Sequence, residues 1–143
     1  MKHSLLRTVP ALLGIAAMLA CGDSTSPSSP VGDYTAIVFV TTDNTGATNQ
    51  LAIGSTLNIS LAANGTTTGH LHLAASGAQT LFDADMAGTW SRNGEVIDFA
   101  QTADTFVKDM SFTIQRISGD VSALVGDQTF SGTRINLSLV REQ

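Results

Sequence analysis

The feature that most constrains the fold of this chain is a short-range alternation of apolar and polar residues, broken by turn residues. Leu57, Ile59 and Leu61, for example, are separated by single polar residues. A period of two places successive side chains on opposite faces of a β-strand. Alternating or β-branched segments occupy residues 33–41, 56–62, 66–73, 82–90, 96–100, 110–115, 121–125 and 135–139. The sequence therefore predicts about eight strands and no helix longer than about two turns after residue 32.

Turn residues between these segments favour an antiparallel arrangement. Asn64-Gly65, Asn93-Gly94 and Ser131-Gly132 each separate two predicted strands, and Asn-Gly is a strong hairpin signal. Short connections predict an up-and-down meander, and closure into a barrel would remove the exposed edges. We therefore expect residues 32–143 to form one all-β domain, a small antiparallel barrel, with a two-sheet sandwich as the alternative.

Three local features each admit two interpretations. Residues 102–108 suit a short helical turn or a continued strand. Residues 43–46 (Asp-Asn-Thr-Gly) resemble a fragment of a calcium loop but lack its terminal Glu, so a polar turn is favoured. Trp90 is expected to be a core or barrel-bottom residue in preference to a platform for a ligand.

The N-terminus has the layout of an export signal. Lys2 and Arg7 precede an apolar run at residues 8–20, which is too short to span a bilayer. Met18-Leu19-Ala20-Cys21 then resembles the lipobox of bacterial lipoproteins. The resemblance implies cleavage before Cys21 and acylation of that cysteine, the only one in the chain.

This resemblance defines the expected organisation and location. Residues 1–20 would be a lipoprotein signal peptide, and residues 21–31 the lipidated cysteine with a flexible linker rich in Ser and Pro. The membrane is then a partner through the acyl chains on Cys21. Gly22, where Asp would signal inner-membrane retention in enterobacteria, favours the outer membrane within the cell envelope.

The charge of the predicted mature chain limits its partners. It keeps five basic residues against twelve acidic ones, a net charge of −7. This balance argues against nucleic-acid binding and against purely electrostatic attachment to anionic lipid.

The hairpins carry a second resemblance. Residues 57–73 and 88–99, with Asn-Gly turns and the Gly88-Thr89-Trp90 run, look like hairpins of small lipocalin-like domains in bacterial lipoproteins. The resemblance implies a barrel that can bind an apolar small molecule. The alternative is a packed barrel that acts as a structural or interaction module of the envelope.

Interior volume separates these two functions. A void of about 300 Å³ or more would support ligand binding, and a filled interior would support the packed module. The expected inward set includes four small residues, which mildly favour a void: Ala36, Ala84, Gly88 and Ala123.

Four side chains are candidates for a metal site. His70 and His72 share one face of a predicted strand, and Asp83 and Asp85 share one face of another. One pairing register sets His72 opposite Asp83 and His70 opposite Asp85. Two imidazoles and two carboxylates suit a divalent metal such as Zn²⁺. The alternative is a pair of surface ion pairs.

Catalytic motifs are absent from the sequence. It has no Gly-x-Ser-x-Gly, no His-Glu-x-x-His and no phosphate-binding loop. We therefore expect neither an enzyme nor a bound cofactor.

Overall fold

A computed structural model describes residues 29–77, 79–118 and 121–142. The predicted signal peptide and Cys21 lie outside these residues. The described part contains one 3-10 turn, Leu51–Ile53, and otherwise only strands and turns. The strands are β1 (Gly32–Asp43), β2 (Gly46–Asn49), β3 (Thr56–Leu61), β4 (Thr66–Leu73), β5 (Phe82–Asp85), β6 (Gly88–Asn93), β7 (Val96–Gln101), β8 (Ser111–Ser118), β9 (Val121–Phe130) and β10 (Thr133–Arg141).

These strands form one closed antiparallel barrel, as the alternation predicts. Eight of them follow the order β1-β3-β4-β6-β7-β8-β9-β10, and β10 pairs back to β1, with Tyr34 opposite Arg141. Because the sheet closes on itself, the chain does not form the two-sheet sandwich that was the alternative. The two extra strands, β2 and β5, extend the sheet beside β1 and β4.

The predicted strand at residues 82–90 is realised as two strands on one path. Both β5 and β6 pair with β4, at its end and its beginning respectively. The interruption at Met86 and Ala87 is held by hydrogen bonds. The Met86 amide donates to the Gly69 carbonyl at 2.9 Å, and the Thr102 amide donates to the Ala87 carbonyl at 2.8 Å. Alternation alone does not mark this break.

The turn at residues 43–46 forms a hairpin with β2, a strand that the sequence analysis did not predict. Asp43 Oδ1 accepts hydrogen bonds from the Thr45 amide at 2.7 Å and the Gly46 amide at 3.2 Å. The carboxylate is thus used within the turn, as the polar-turn interpretation predicts.

The barrel interior is occupied by one cluster of buried side chains. Phe39, Leu71, Leu124 and Leu137 are fully buried, because alternate positions of their strands face inward. Phe99 and Phe112 meet edge to face, with ring centroids 5.1 Å apart.

Residues 102–110 form neither of the predicted structures. They are a series of turns, with the Lys108 amide donating to the Thr105 carbonyl at 3.0 Å. Phe106, Val107 and Met110 are buried and join the core cluster. The segment therefore closes one end of the barrel.

The two ends of the barrel differ in what they carry. The lower end is where β1 begins, and it holds the β3–β4, β6–β7 and β8–β9 turns. The upper end is where β1 ends, and it holds the β1–β2 and β9–β10 turns and residues 102–110. Trp90 packs against the core near the lower end and donates from Nε1 to the Ala62 carbonyl at 2.9 Å, which agrees with a barrel-bottom residue.

Candidate functional site

The predicted pairing of the two histidines with the two aspartates is present in the barrel. His70 lies opposite Asp85 and His72 lies opposite Asp83 in the β4–β5 ladder. The register follows from the apolar positions between them, since Leu71 pairs with Ala84 and Leu71 is fully buried. The four polar side chains consequently share the outer face of the sheet.

One carboxylate oxygen joins the two imidazoles. Asp83 Oδ1 lies 3.0 Å from His70 Nε2 and 2.8 Å from His72 Nδ1. The other ring nitrogen of His70, Nδ1, lies 3.5 Å from Asp85 Oδ1. The four residues thus form a connected cluster, which we term the His–Asp cluster: His70, His72, Asp83 and Asp85.

Hydrogen bonding within the His–Asp cluster shifts two of its pKa values. The hydrogen bond with Asp83 raises the pKa of His70 above its usual value. The hydrogen bonds from His72 and His70 lower the pKa of Asp83. Both shifts favour the charged forms, protonated His70 and ionised Asp83. The side chains are well exposed, 45% for His70 and 43% for Asp83, so solvent screens the attraction.

The geometry of the His–Asp cluster is that of hydrogen-bonded pairs. Among the described residues, no group of three or more His, Cys, Asp or Glu side chains is arranged to hold a metal ion. The reason is visible at Asp83, whose Oδ1 occupies the point where the two imidazoles meet, while the other nitrogen of His70 faces Asp85. The predicted register is therefore realised without a formed metal centre, and metal binding stays a prediction.

Two clefts among the described residues lie outside the core. One, of about 280 Å³, is lined by Thr41, Asp43, Gln50 and Gln79 near the upper end. The other, of about 250 Å³, is lined by Asp33, Asn58 and Glu142, among others. Both are lined mainly by polar side chains, which suits a hydrated surface better than an apolar ligand.

The small residues expected to leave space inside have different surroundings. A Cβ at Gly88 would come within 2.3 Å of the Ala100 carbonyl oxygen, so this glycine allows close approach of β7. Ala36 is part of the core, and Ala84 packs against it. Ala123 is buried but lies outside the core cluster, because its neighbour Leu124 takes the inward position.

Sequence reasoning missed a buried polar network at the upper end. Gln50 is 1% exposed, and its Nε2 donates to Thr41 Oγ1 at 2.8 Å and to Gln79 Oε1 at 3.1 Å. Ser55 Oγ donates to Gln50 Oε1 at 2.9 Å. The network joins β1 to the segment after β4. No periodic signal marks it, since Gln50, Ser55 and Gln79 lie outside the strands.

In the described part of the chain, no helix combines the length and the apolar character needed to cross a bilayer. Comparison with protein-family models, with curated proteins and with solved structures finds no match to this chain.

Proposed function

We propose that this chain is a lipid-anchored protein of the cell envelope whose barrel is a packed structural or interaction module. The observation that carries the proposal is the placement of Phe106. Its ring lies 5.5 Å from that of Phe39, within the core cluster, and Phe106 is 7% exposed. A side chain from the segment between β7 and β8 thus takes up interior space that an apolar ligand would need.

Interior packing near Gly126 supports the same proposal. A Cβ at Gly126 would come within 2.5 Å of Met110 Cε and 2.9 Å of the Phe112 ring. The space beside this inward glycine is therefore taken by neighbouring side chains. Eight-stranded barrels are just wide enough to be filled in this way or to hold one small ligand.

Membrane attachment in this proposal depends on Cys21. The lipobox-like run at residues 18–21 supports acylation there, and several acyl chains hold a protein to a bilayer far more firmly than one. The net charge of −7 for the predicted mature chain makes anchoring by surface charge alone ineffective. The proposal assigns no catalytic activity.

Native mass spectrometry of the chain purified from membranes in mild detergent tests the barrel function. We expect the mass of the acylated polypeptide with no further apolar molecule bound. Titration with a fluorescent apolar naphthylamine dye should give no saturable signal. Phe106→Ala is the matched control, because removing the Phe106 ring from the barrel core should create a binding site for the dye. Saturable dye binding to the unmodified chain, or a co-purified lipid at one equivalent, would contradict the packed module and support a barrel that binds an apolar ligand.

A further inference from the structure

We propose that the lower end of the barrel lies against the bilayer surface and that the upper end faces away from it. This inference rests on the proposed function, since it needs the anchor at Cys21. The described chain begins at the lower end. Tyr34 Oη donates to the Pro30 carbonyl at 2.8 Å, and Arg141 Nη1 donates to the Ser29 carbonyl at 3.4 Å. Residues 29–30 are thus fixed beside the first and last strands.

The length of chain between the anchor and this point limits the orientation. Eight residue steps separate Cys21 from Ser29, and they reach at most about 29 Å when fully extended. β1 has 12 residues, which corresponds to about 40 Å along the strand and roughly 30 Å along a barrel axis at the usual tilt. Bringing the upper end to the membrane would therefore use the entire reach of the connecting segment, whereas the lower end needs none of it.

The distribution of charge favours the same orientation. The residues described around the lower turns include three basic and three acidic side chains: Arg92, Arg116, Arg141, Asp33, Glu95 and Glu142. Asp98, on β7, lies between the two ends, and the sequence adds Asp120 between β8 and β9. The described upper half carries six aspartates against two basic residues: Asp43, Asp83, Asp85, Asp104, Asp109, Asp127, Lys108 and Arg134. An anionic bilayer therefore repels the acidic upper half more strongly than the lower end.

Apolar exposure occurs at both ends and does not select one of them, since Leu81, Phe82 and Phe130, toward the upper end, are 61%, 41% and 40% exposed. Ile117, near the β8–β9 turn, is 57% exposed, and Val96, at the β6–β7 turn, is 37% exposed. Both lie on the end from which residues 29–30 lead toward Cys21. The surface that meets soluble partners is then the upper end, with residues 102–110 and the polar cleft beside Gln50.

Energy transfer to lipid tests this orientation in the anchored protein. Two variants each place one thiol at an exposed position: Asn93→Cys at the lower end of β6, and Asn44→Cys in the upper β1–β2 turn. The full chain would be labelled with a donor fluorophore and reconstituted into vesicles of phosphatidylethanolamine and phosphatidylglycerol containing an acceptor lipid. We expect transfer from position 93 to be several-fold greater than transfer from position 44.

Each outcome has a distinct meaning. Equal transfer from the two positions, or greater transfer from position 44, would overturn the orientation. A chain that does not float with the vesicles, or a Cys21 thiol that still reacts with the fluorophore in the unmodified chain, would instead contradict the anchor, and the orientation would fall with it. Vesicles of phosphatidylcholine alone, which carry no net charge, separate the effect of the connecting segment from the effect of charge repulsion. The difference should persist there if the connecting segment sets the orientation, and loss of the difference would overturn the reach argument.

Discussion

Phe106, from the turns between β7 and β8, packs against Phe39 of β1 with ring centroids 5.5 Å apart and an interplanar angle of 50°. The contact joins the segment that closes the upper end to the first strand of the barrel. Removing a buried phenyl ring from a core costs about 3–5 kcal/mol, from lost burial and from the cavity left behind. We therefore expect Phe106→Ala to lower the free energy of unfolding by about that amount in urea denaturation.

A matched control for this variant is Ile37→Ala, because Ile37 is 57% exposed on the same strand as Phe39. Its free energy of unfolding should change by less than about 1 kcal/mol, as for most surface substitutions. If the two variants lose the same stability, Phe106 does not fill the barrel.

Gln101 is expected to hold the break between β5 and β6. When its amide is oriented with the nitrogen toward the two carbonyls, Nε2 donates to Met86 at 3.0 Å and Ala87 at 3.2 Å, and Oε1 accepts from Thr67 Oγ1 at 3.0 Å. Gln101→Leu would remove the hydrogen-bond partner of the buried Met86 carbonyl and of the Thr67 hydroxyl. The free energy of unfolding should fall by about 1–3 kcal/mol as a result. Urea denaturation of this variant should show that loss, and the exposed Gln115→Leu should not.

Zinc titration addresses the predicted metal site. Because the imidazoles and carboxylates of the His–Asp cluster bond to one another, we expect no Zn²⁺ heat that depends on the histidines. Isothermal titration of the unmodified chain and of a His70→Ala/His72→Ala variant should give equal heats. A one-to-one Zn²⁺ isotherm that disappears in the double variant, and that weakens below about pH 6.5, would establish the metal site instead.

The His–Asp cluster also makes the β4–β5 pairing dependent on pH. Because the pKa of His70 is raised in the folded state, its stabilisation of the β4–β5 pairing is full below the unfolded-state pKa of about 6.5. That stabilisation is lost as pH rises through the folded-state pKa. Because the pKa of Asp83 is lowered in the folded state, its stabilisation of the same pairing is present above the unfolded-state pKa of about 3.8. That stabilisation is lost as pH falls through the folded-state pKa. Hydrogen-exchange protection of β5 should therefore be greatest between about pH 4 and 6.5.

Replacing the shared carboxylate tests this linkage. Asp83→Asn should lower the pKa of His70, measured by NMR titration of its ring protons. Asp127→Asn, which removes a different exposed ion pair with Arg134, should leave that pKa unchanged. An unaltered His70 titration in Asp83→Asn would show that the contact with Asp83 does not set it.

The anchor is tested by a single substitution. Cys21→Ser removes the only thiol in the chain and should release the protein from membranes or block its maturation. Membrane fractionation and the mass of the mature N-terminus are the measurements, with Ser24→Ala as the control. A serine variant that stays with membranes and is cut at the same bond would rule out lipidation.

The sequence predicted the all-β class, with a barrel preferred over a sandwich, and it predicted the register that the His–Asp cluster has. Both depend on local period: alternation fixes which side chains face inward, and a shift of one residue would turn Leu71 outward and His70 inward. Turn residues also marked the β3–β4 and β6–β7 hairpins, where Gly65 and Gly94 adopt positive φ angles of 81° and 62°.

Only the tertiary structure decided how the barrel is filled and what the His–Asp cluster forms. Residues 102–110 have no period that directs Phe106 into the interior, and the break after Asp85 depends on Gln101 and Thr102 reaching across from another strand. A shared face brought the two histidines and two aspartates together, but side-chain orientation set Asp83 between the imidazoles as a hydrogen-bond acceptor. Such contacts join residues far apart in the chain, so no local pattern encodes them.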